Sequence, residues 1–308
     1  MNCLNNCLNR KSNNLSTGIV PPHFPLPSVL LYGLFSCLLL SYSLTTQAQE
    51  SDHDQRFISL APHITELLFA VGAGDQIVGV VSYSDYPVQA NEIANIGSYN
   101  QINYEQIVSL NPTLIFGWES GNGRETLDRL KSLGFAVHSH EPRSLEDVAE
   151  SLHKFGELTG HSKQGTEASE AFRQRLYDLR KTYQGRDPVT VFYQLWNEPQ
   201  MTVNGEHLIS DVIRLCGGEN IFADAIPLVP KVGVETILER NPEVIIASGM
   251  ADERPEWLDD WKNWPSIRAV ENEQLFSIHP DFLHRHSPRI LQGAEQMCAI
   301  LEQGRQLK

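Results

Sequence analysis

The sequence predicts an α/β protein built as two parallel-sheet lobes joined by one long backbone helix, with a ligand cleft between the lobes. Three observations carry that prediction. Short apolar runs alternate with amphipathic helical patterns from Arg56 to Leu301, the signature of α/β units with largely parallel sheets. An eleven-residue stretch occurs twice, Glu105–Ile115 and Glu235–Ile245, with Glu, Ile, Asn, Pro and Ile repeated in place. Two copies spaced by about a domain length point to two related lobes. Between them, residues 162–183 hold no proline and repeat Ala168, Phe172, Leu176, Leu179 and Tyr183 at three- and four-residue steps, the apolar stripe of a continuous helix. A helix of about 20 residues spans roughly 30 Å, a domain diameter. So stiff a connector, in place of a Gly/Ser or strand linker, predicts lobes that shift only modestly.

Taken in order, residues 1–48 read as a signal peptide. Arg10 and Lys11 precede the apolar run Val29–Leu40, and Thr46-Gln47-Ala48 is a small-x-small cleavage signal. The long stretch before the apolar core points to a start downstream of Met1. From Val29 to Leu44 the run is about 16 residues, short for a membrane span, and Cys37, followed by three leucines, makes a poor lipoprotein site. Cleavage removes two cations and no acid, which takes the net charge from −14 to −16. That balance argues against nucleic acid and anionic lipid surfaces. Of five cysteines, Cys216 and Cys298 remain. In an oxidising compartment they form either a disulfide or two buried thiols. A bridge closing about 80 residues stabilises by roughly 4 kcal/mol in the chain-entropy model.

Residues 49–161 form the expected N-terminal lobe. Arg56–Leu60 is its first strand, and Ala61-Pro62-His63 turns into a helix, Ile64–Val71, stopped by Gly72 and Gly74. A second strand, Ile77–Val81, ends in the turn-rich segment Ser82–Pro87. The first repeat copy is a short helix from Glu105, an Asn-Pro stop and the strand Leu114–Trp118. Proline cannot continue a helix and pushes the preceding Asn111 out of the helical region. Continuous apolar strands such as these fit buried parallel strands. Gly121 and Gly123 open a helix, Arg124–Leu133, and Phe135–His138 is the next strand. Ser144 with Asp147 starts another helix as a capping box. Residues 162–184 are the backbone helix. The C-terminal lobe, 185–308, begins with the strand Val189–Leu195 and the helix His207–Cys216, closed by Gly217-Gly218. The second copy brings the strand Val244–Ser248, Gln274–Ile278 follows, and Ser287-Pro288 opens the last helix, with proline in a tolerated first-turn position.

Searches for chemistry return little. Trp196-Asn197-Glu198-Pro199 after a strand is similar to the acid/base site of barrel glycosidases, which makes a glycosidase using Glu198 the enzyme alternative. Such an enzyme needs a second carboxylate about 5 Å away and eight β/α units, and a duplicated two-lobe pattern does not supply them. Neither Gly-x-Ser-x-Gly nor a phosphate-cradling loop occurs. The pairs His138/His140 and His284/His286 place two imidazoles on one face of an extended chain, a conceivable metal pair, but no closed ligand set is visible. No catalytic residue, cofactor or metal is therefore expected. Aromatic residues are better placed. Tyr83, Tyr99, Trp118 and Trp196 stand at or just beyond the carboxyl ends of expected strands, where open α/β sheets bind ligands, and Phe282 follows the late strand. Asp281 and Arg285 flank it, as hydrogen-bonding groups at the rim or as a mutual salt bridge.

Several stretches together resemble the periplasmic cobalamin-binding proteins of ABC importers, which belong to the helical-backbone class of substrate-binding proteins. They are Ser59-Leu-Ala-Pro-x-x-Thr-Glu66, Val80-Val-Ser-Tyr-Ser-Asp-Tyr-Pro87, Glu105 through Trp118, Cys216-Gly-Gly-Glu-Asn-Ile-Phe222 and Ser287-Pro-Arg-Ile290. The resemblance covers nearly all of the mature chain. Ser-Tyr-Ser-Asp-Tyr-Pro is fairly specific to the cobalamin branch, whereas Cys-Gly-Gly-x-Asn is shared with haem and iron-siderophore binders, which makes those ligands the alternative. The resemblance implies a monomer in the periplasm that carries cobalamin or a related corrinoid between its lobes and delivers it to an ABC permease and its ATPase. It implies that Tyr83, Tyr99 and Trp118 pack on the corrin from the first lobe. Asp281, Phe282, Leu283, His284 and Arg285 would contact it from the second, near Trp196 and Met201. Cys216 and Cys298 match the family's disulfide pair, and Glu105 and Glu235 match the glutamates that dock permease arginines. The chain departs from the pattern at His63, where a small residue is usual, and at Met201 and Val229, where aromatics occur. His63 joins the ligand set by its position.

Overall fold

The strands of the repeated stretch sit third in two sheets of the same topology. The computed structural model describes residues 55–248 and 254–307, and the expected signal peptide lies outside the described residues. The first lobe runs β1 (Phe57–Ser59), α1 (Pro62–Ala70), β2 (Ile77–Val80), the hairpin β3 (Gly97–Ser98) and β4 (Gln101–Ile102), α2 (Tyr104–Leu110), β5 (Leu114–Trp118), α3 (Glu119–Asn122), α4 (Arg124–Ser132), β6 (Val137–His140) and α5 (Leu145–Thr159). One helix, α6 (Ser162–Tyr183), then leads to the second lobe. This runs β7 (Val189–Gln194), α7 (Leu208–Leu215), β8 (Gly218–Asn220), α8 (Val234–Arg240), β9 (Val244–Ala247), α9 (Arg268–Glu271), β10 (Leu275–Ser277), α10 (Pro280–Leu283) and α11 (Ile290–Arg305). The sheets are β2-β1-β5-β6 and β10-β9-β7-β8, parallel throughout. Counted within each lobe, both follow the order 2-1-3-4. The order reverses beside the first strand, between β1 and β5 and between β7 and β9, which is where such sheets bind ligands.

Each repeat copy turns on its asparagine. Asn111 and Asn241 cap α2 and α8 in the left-handed region, at φ 46° and 43°, where asparagine is tolerated far better than most residues. The Pro that follows is expected to push each asparagine out of the helical region, which by itself would free its N–H. The left-handed turn instead keeps the backbone N–H of each residue bonded to its helix, Asn111 to Val108 O at 3.2 Å and Asn241 to Ile237 O at 2.9 Å.

Several boundaries differ from expectation, and three of the differences have a visible cause. β6 starts two residues later than expected, because Gly134 and Phe135 are consumed in the turn and Val137 pairs with Ile115. Gly218, read as part of a helix cap, belongs to an unexpected edge strand, β8, on β7. The last helix starts at Ile290 rather than Pro288, because Ser287 and Arg289 are drawn toward the other lobe, as described below.

The inner faces of both sheets share one core. It runs from Phe57, Leu67, Phe116 and Phe155 through Phe172 and Leu176 of α6 to Tyr193, Val212, Leu291 and Met297. Separate clusters back the outer face of each sheet. α6 packs along α5 through a close glycine-on-glycine crossing. A Cβ placed on Gly165 would lie 2.7 Å from the Cα of Gly156, so only glycine fits that crossing. Cys216, which caps α7, is disulfide-bonded to Cys298 of α11. Among the described residues no helix is long and apolar enough to cross a membrane.

Candidate functional site

The carboxyl ends of β1 and β5 deliver His63 and Trp118 to the reversal point of the first sheet. Trp118 is held from below by a buried amide. Asn122 accepts from Trp118 N at 2.6 Å and donates to Leu60 O at 2.9 Å and Tyr99 O at 2.6 Å. One side chain thus ties β5, β1 and the Tyr99 turn together. Gly121 makes room for the indole, since a Cβ there would lie 1.9 Å from Trp118 Cε3. Tyr99 lies 6.2 Å from Trp118, ring centre to ring centre. Tyr83 is held left-handed, at φ 68°, while its neighbours are pinned by Ser82 N to Gly97 O and Ser84 N to Val81 O. The outcome is an aromatic rim in open solvent, with Tyr83 78% and Tyr99 45% exposed.

In the second lobe Trp196 follows β7 and is 38% exposed. It pairs with Met201 across a tight turn, and its indole N–H donates to Glu198 O at 2.9 Å. No ring contact among the described residues joins Trp196 to the first-lobe rim. Glu198 follows β7 of a four-stranded open sheet, not a strand of the eight-unit barrel that the glycosidase reading calls for. Phe282 and Asp281 are half-buried on α10. Three other expected ligand contacts sit deeper. Leu283 is in the core, His284 shares a hydrogen bond of 3.0 Å with Tyr193 Oη, and Arg285 is buried in an ion-pair network. His63 is likewise enclosed, its ring packed edge-on against Trp118 at 5.2 Å. These residues form the floor of the cleft rather than its walls.

That floor is made by the two lobes bonding to each other, a feature with no local signal in the sequence. Glu66 of α1 is buried and receives Arg285 Nη1 at 3.1 Å, Arg289 Nε at 2.9 Å and Ser287 Oγ at 2.5 Å. Arg285 also meets Asp85 of the first lobe at 2.6 Å and Asp281 at 2.8 Å, so the Asp281–Arg285 salt bridge is present as one link of a larger network. The Arg289 guanidinium lies 4.0 Å over the Tyr86 ring, a cation–π contact across the lobes. The motifs around Glu66 and Ser287 had stood out separately. Their partnership spans 221 positions and shows only in three dimensions.

Histidines crowd the same floor. His63 and His140 of the first lobe lie 5.5 Å apart, and His63 lies 5.6 Å from His286 of the second. His207, the cap of α7, is 5.7 Å from His286. Burial, then mutual repulsion, holds His63 and His286 well below the ordinary imidazole range. Burial lowers His140 to about 3 and His207 and His284 to about 4. Burial thus disfavours the charged form of all five. Among the described residues no three His, Cys, Asp or Glu groups are arranged to hold a metal ion.

Glu105 and Glu235 are exposed, each at the second position of its short helix. Two surface depressions lie apart from the aromatic set. One, of about 480 Å³, is lined by Leu145, Arg180 and Asp211, and another, of about 690 Å³, by Ser82, Tyr104, Glu105 and Arg129.

Comparison with known proteins gives a consistent result. Residues 58–282 match the family model described as periplasmic binding protein. The chain is 37% identical over 275 residues to the vitamin B12-binding protein of Vibrio cholerae serotype O1, covering 89% of this chain and 98% of that one. It is also 37% identical over 275 residues to the vitamin B12-binding protein of Yersinia pseudotuberculosis, covering 89% and 93%. The crystal structure of periplasmic vitamin B12 binding protein BtuF of Vibrio cholerae matches with a TM-score of 0.76 at 37% identity, over 82% of this chain and 98% of that one. The periplasmic heme-binding protein RhuT from Roseiflexus sp. RS-1 matches with a TM-score of 0.73 at 23% identity, over 82% and 99%, a likeness of fold.

Proposed function

The chain belongs to the periplasmic binding protein family, and from that premise we propose that it captures a corrinoid of the vitamin B12 type in the periplasm and delivers it to an ABC permease. The carrying observation is the near full-length identity to vitamin B12-binding proteins. The aromatic rim supports it. Tyr83, Tyr99 and Trp118 offer large apolar faces at little conformational cost, suited to a flat macrocycle, and Trp196, Met201 and Phe282 stand ready on the opposite lobe. Titration with cyanocobalamin, read by tryptophan fluorescence, tests the reading. Saturable quenching at or below micromolar concentration is expected. No binding there, with haem or a ferric siderophore bound instead, overturns it.

Glu105 and Glu235 are proposed to dock the permease, one carboxylate per lobe. Each alone is explained as a first-turn carboxylate, which favours a helix by about 0.3–1 kcal/mol, but that does not require the same residue at equivalent positions of both lobes. The double variant Glu105→Ala/Glu235→Ala is expected to abolish most transport in cells while soluble corrinoid affinity is unchanged. A loss of affinity in the purified variant would count against docking.

A further inference from the structure

The imidazoles of the floor form a continuous row through the lobe junction, His140–His63–His286–His207, with neighbouring ring centres 5.5, 5.6 and 5.7 Å apart. The middle step crosses from one lobe to the other. The three rings at its heart, His63, His140 and His286, are only 2–6% exposed. Each keeps a buried ring nitrogen with no hydrogen-bond partner, Nε2 of His63, Nε2 of His140 and Nδ1 of His286. Buried polar groups are nearly always paired, and a proton added at any of these three nitrogens would find no hydrogen-bond acceptor beside it.

The charged groups around the row offer His63 and His286 little compensation. From α1 comes Glu66, bonded by Arg285, Arg289 and Ser287. From the turn after β2 comes Asp85, bonded by Arg285, and from α10 comes Asp281, also on Arg285. Arg285 itself opposes charge on His63, as do His140 and His286, while His207, His140 and His284 oppose charge on His286. At the first-lobe end, Asp147 of α5 favours charge on His140, His138 of β6 opposes it, and Lys154 of α5 opposes charge on His138. A proton placed in the middle of this row meets cations and low dielectric. Parting the lobes would give the same rings water.

We propose that this junction is a proton-sensitive latch: the uncharged row lets the lobes close at neutral pH, and protonation of His63 and His286 in acid loosens the junction, through a modest shift that admits water to these rings, and releases the ligand. The inference rests on the cleft being the ligand site. The sign follows from linkage. These imidazoles bind protons less readily in the closed state than in the open one, whose reference value is about 6.5. Closure is therefore fully favoured above that value and weakens as pH falls below it. Two rings exposed on opening cost up to about 100-fold in closure between pH 7.5 and 5.5.

The test measures the dissociation constant for cyanocobalamin at pH 7.5 and pH 5.5. Wild type is expected to weaken by 10- to 100-fold at the lower pH. The double variant His63→Phe/His286→Phe, which keeps ring volume without a titrating group, is expected to weaken less than 3-fold. His153→Phe, on the exposed face of α5, should behave as wild type. An unchanged wild-type affinity, or a double variant that keeps the full dependence, overturns the latch. Should that variant fail to fold, His63→Gln and His286→Gln singly are each expected to remove about tenfold of the pH effect. Hydrogen exchange of α1 and residues 284–289 in the ligand-free protein supplies a second readout, expected to quicken at pH 5.5 beyond the intrinsic chemistry in wild type alone. If cyanocobalamin does not bind at any pH, the ligand reading has failed, and equal protection at both pH values would separately sink the latch.

Discussion

The two lobes share a strand order but have been put to different uses. In both, a short helix ends on a left-handed asparagine, a proline follows, and the third strand runs beside the first. The first lobe then uses its strand ends for an aromatic rim, exposed at Tyr83 and Tyr99 and half-buried at Trp118. The second spends the segment before its last helix on cations, Arg285 and Arg289, which it pushes into the partner lobe. The second lobe alone carries a disulfide among the described residues, between its first helix and its last. The contrast separates two kinds of repeated feature. Helix–Asn–Pro–strand is set by backbone geometry, so it is retained in both copies. Strand-end side chains are not fixed by that geometry, and they differ between the lobes.

The largest expected effect comes from breaking the contact in which the lobes differ most. Glu66→Ala removes the buried carboxylate that Arg285, Arg289 and Ser287 share, leaving Arg285 to Asp85 and Asp281 and Arg289 to Asp281 at 3.4 Å. Removing one side of a buried ionic network costs roughly 3–5 kcal/mol, and the three donors that Glu66 satisfies at once place this change at about 5, read as the loss in urea unfolding free energy. A loss below about 1 kcal/mol would show that water replaces the carboxylate easily. Next in size, Cys216→Ala/Cys298→Ala is expected to lose about 4 kcal/mol. If protection in hydrogen exchange falls in α7 and α11 but not in α1, the bridge serves its own lobe. Equal loss in both lobes would show that the shared core transmits it.

Ligand affinity sharpens the comparison further. Trp118→Ala, which removes a half-buried wall tied to Asn122, is expected to weaken cyanocobalamin binding by about 2 kcal/mol, roughly 30-fold, as a central aromatic anchor does. Trp196→Ala, on the more exposed partner surface, should cost about 1 kcal/mol. The reverse order would move the centre of recognition to the second lobe. The smallest effects should be the most alike. Asn111→Ala and Asn241→Ala each force alanine into the left-handed region, at about 1 kcal/mol apiece. Unequal costs in thermal unfolding would show that the copies have diverged in their backbones as well as in their side chains.

Much of this was legible in the residues themselves. The α6 stripe, the Ser144–Asp147 capping box and both Asn-Pro stops were placed correctly because each depends on neighbours within a turn or two. The errors came where a distant partner decided. β6 took its register from β5, β8 formed because β7 offered an edge, and α11 began late because Ser287 is held by Glu66. The aromatic rim was foreseeable from strand ends, but the depth of Leu283, His284 and Arg285 was not.

What the sequence determined by itself, then, is the alternation of elements, the duplication and the long connecting helix, since periodicity and capping are local properties. It also carried the resemblance on which the ligand reading stands. What tertiary structure alone decided is the floor of the cleft. Glu66 with Arg289, and His63 with His286, meet from opposite lobes across more than 200 positions. No local pattern encodes such pairs. They exist because two sheets of one topology, docked through a shared core, bring the end of the first strand against the start of the last helix.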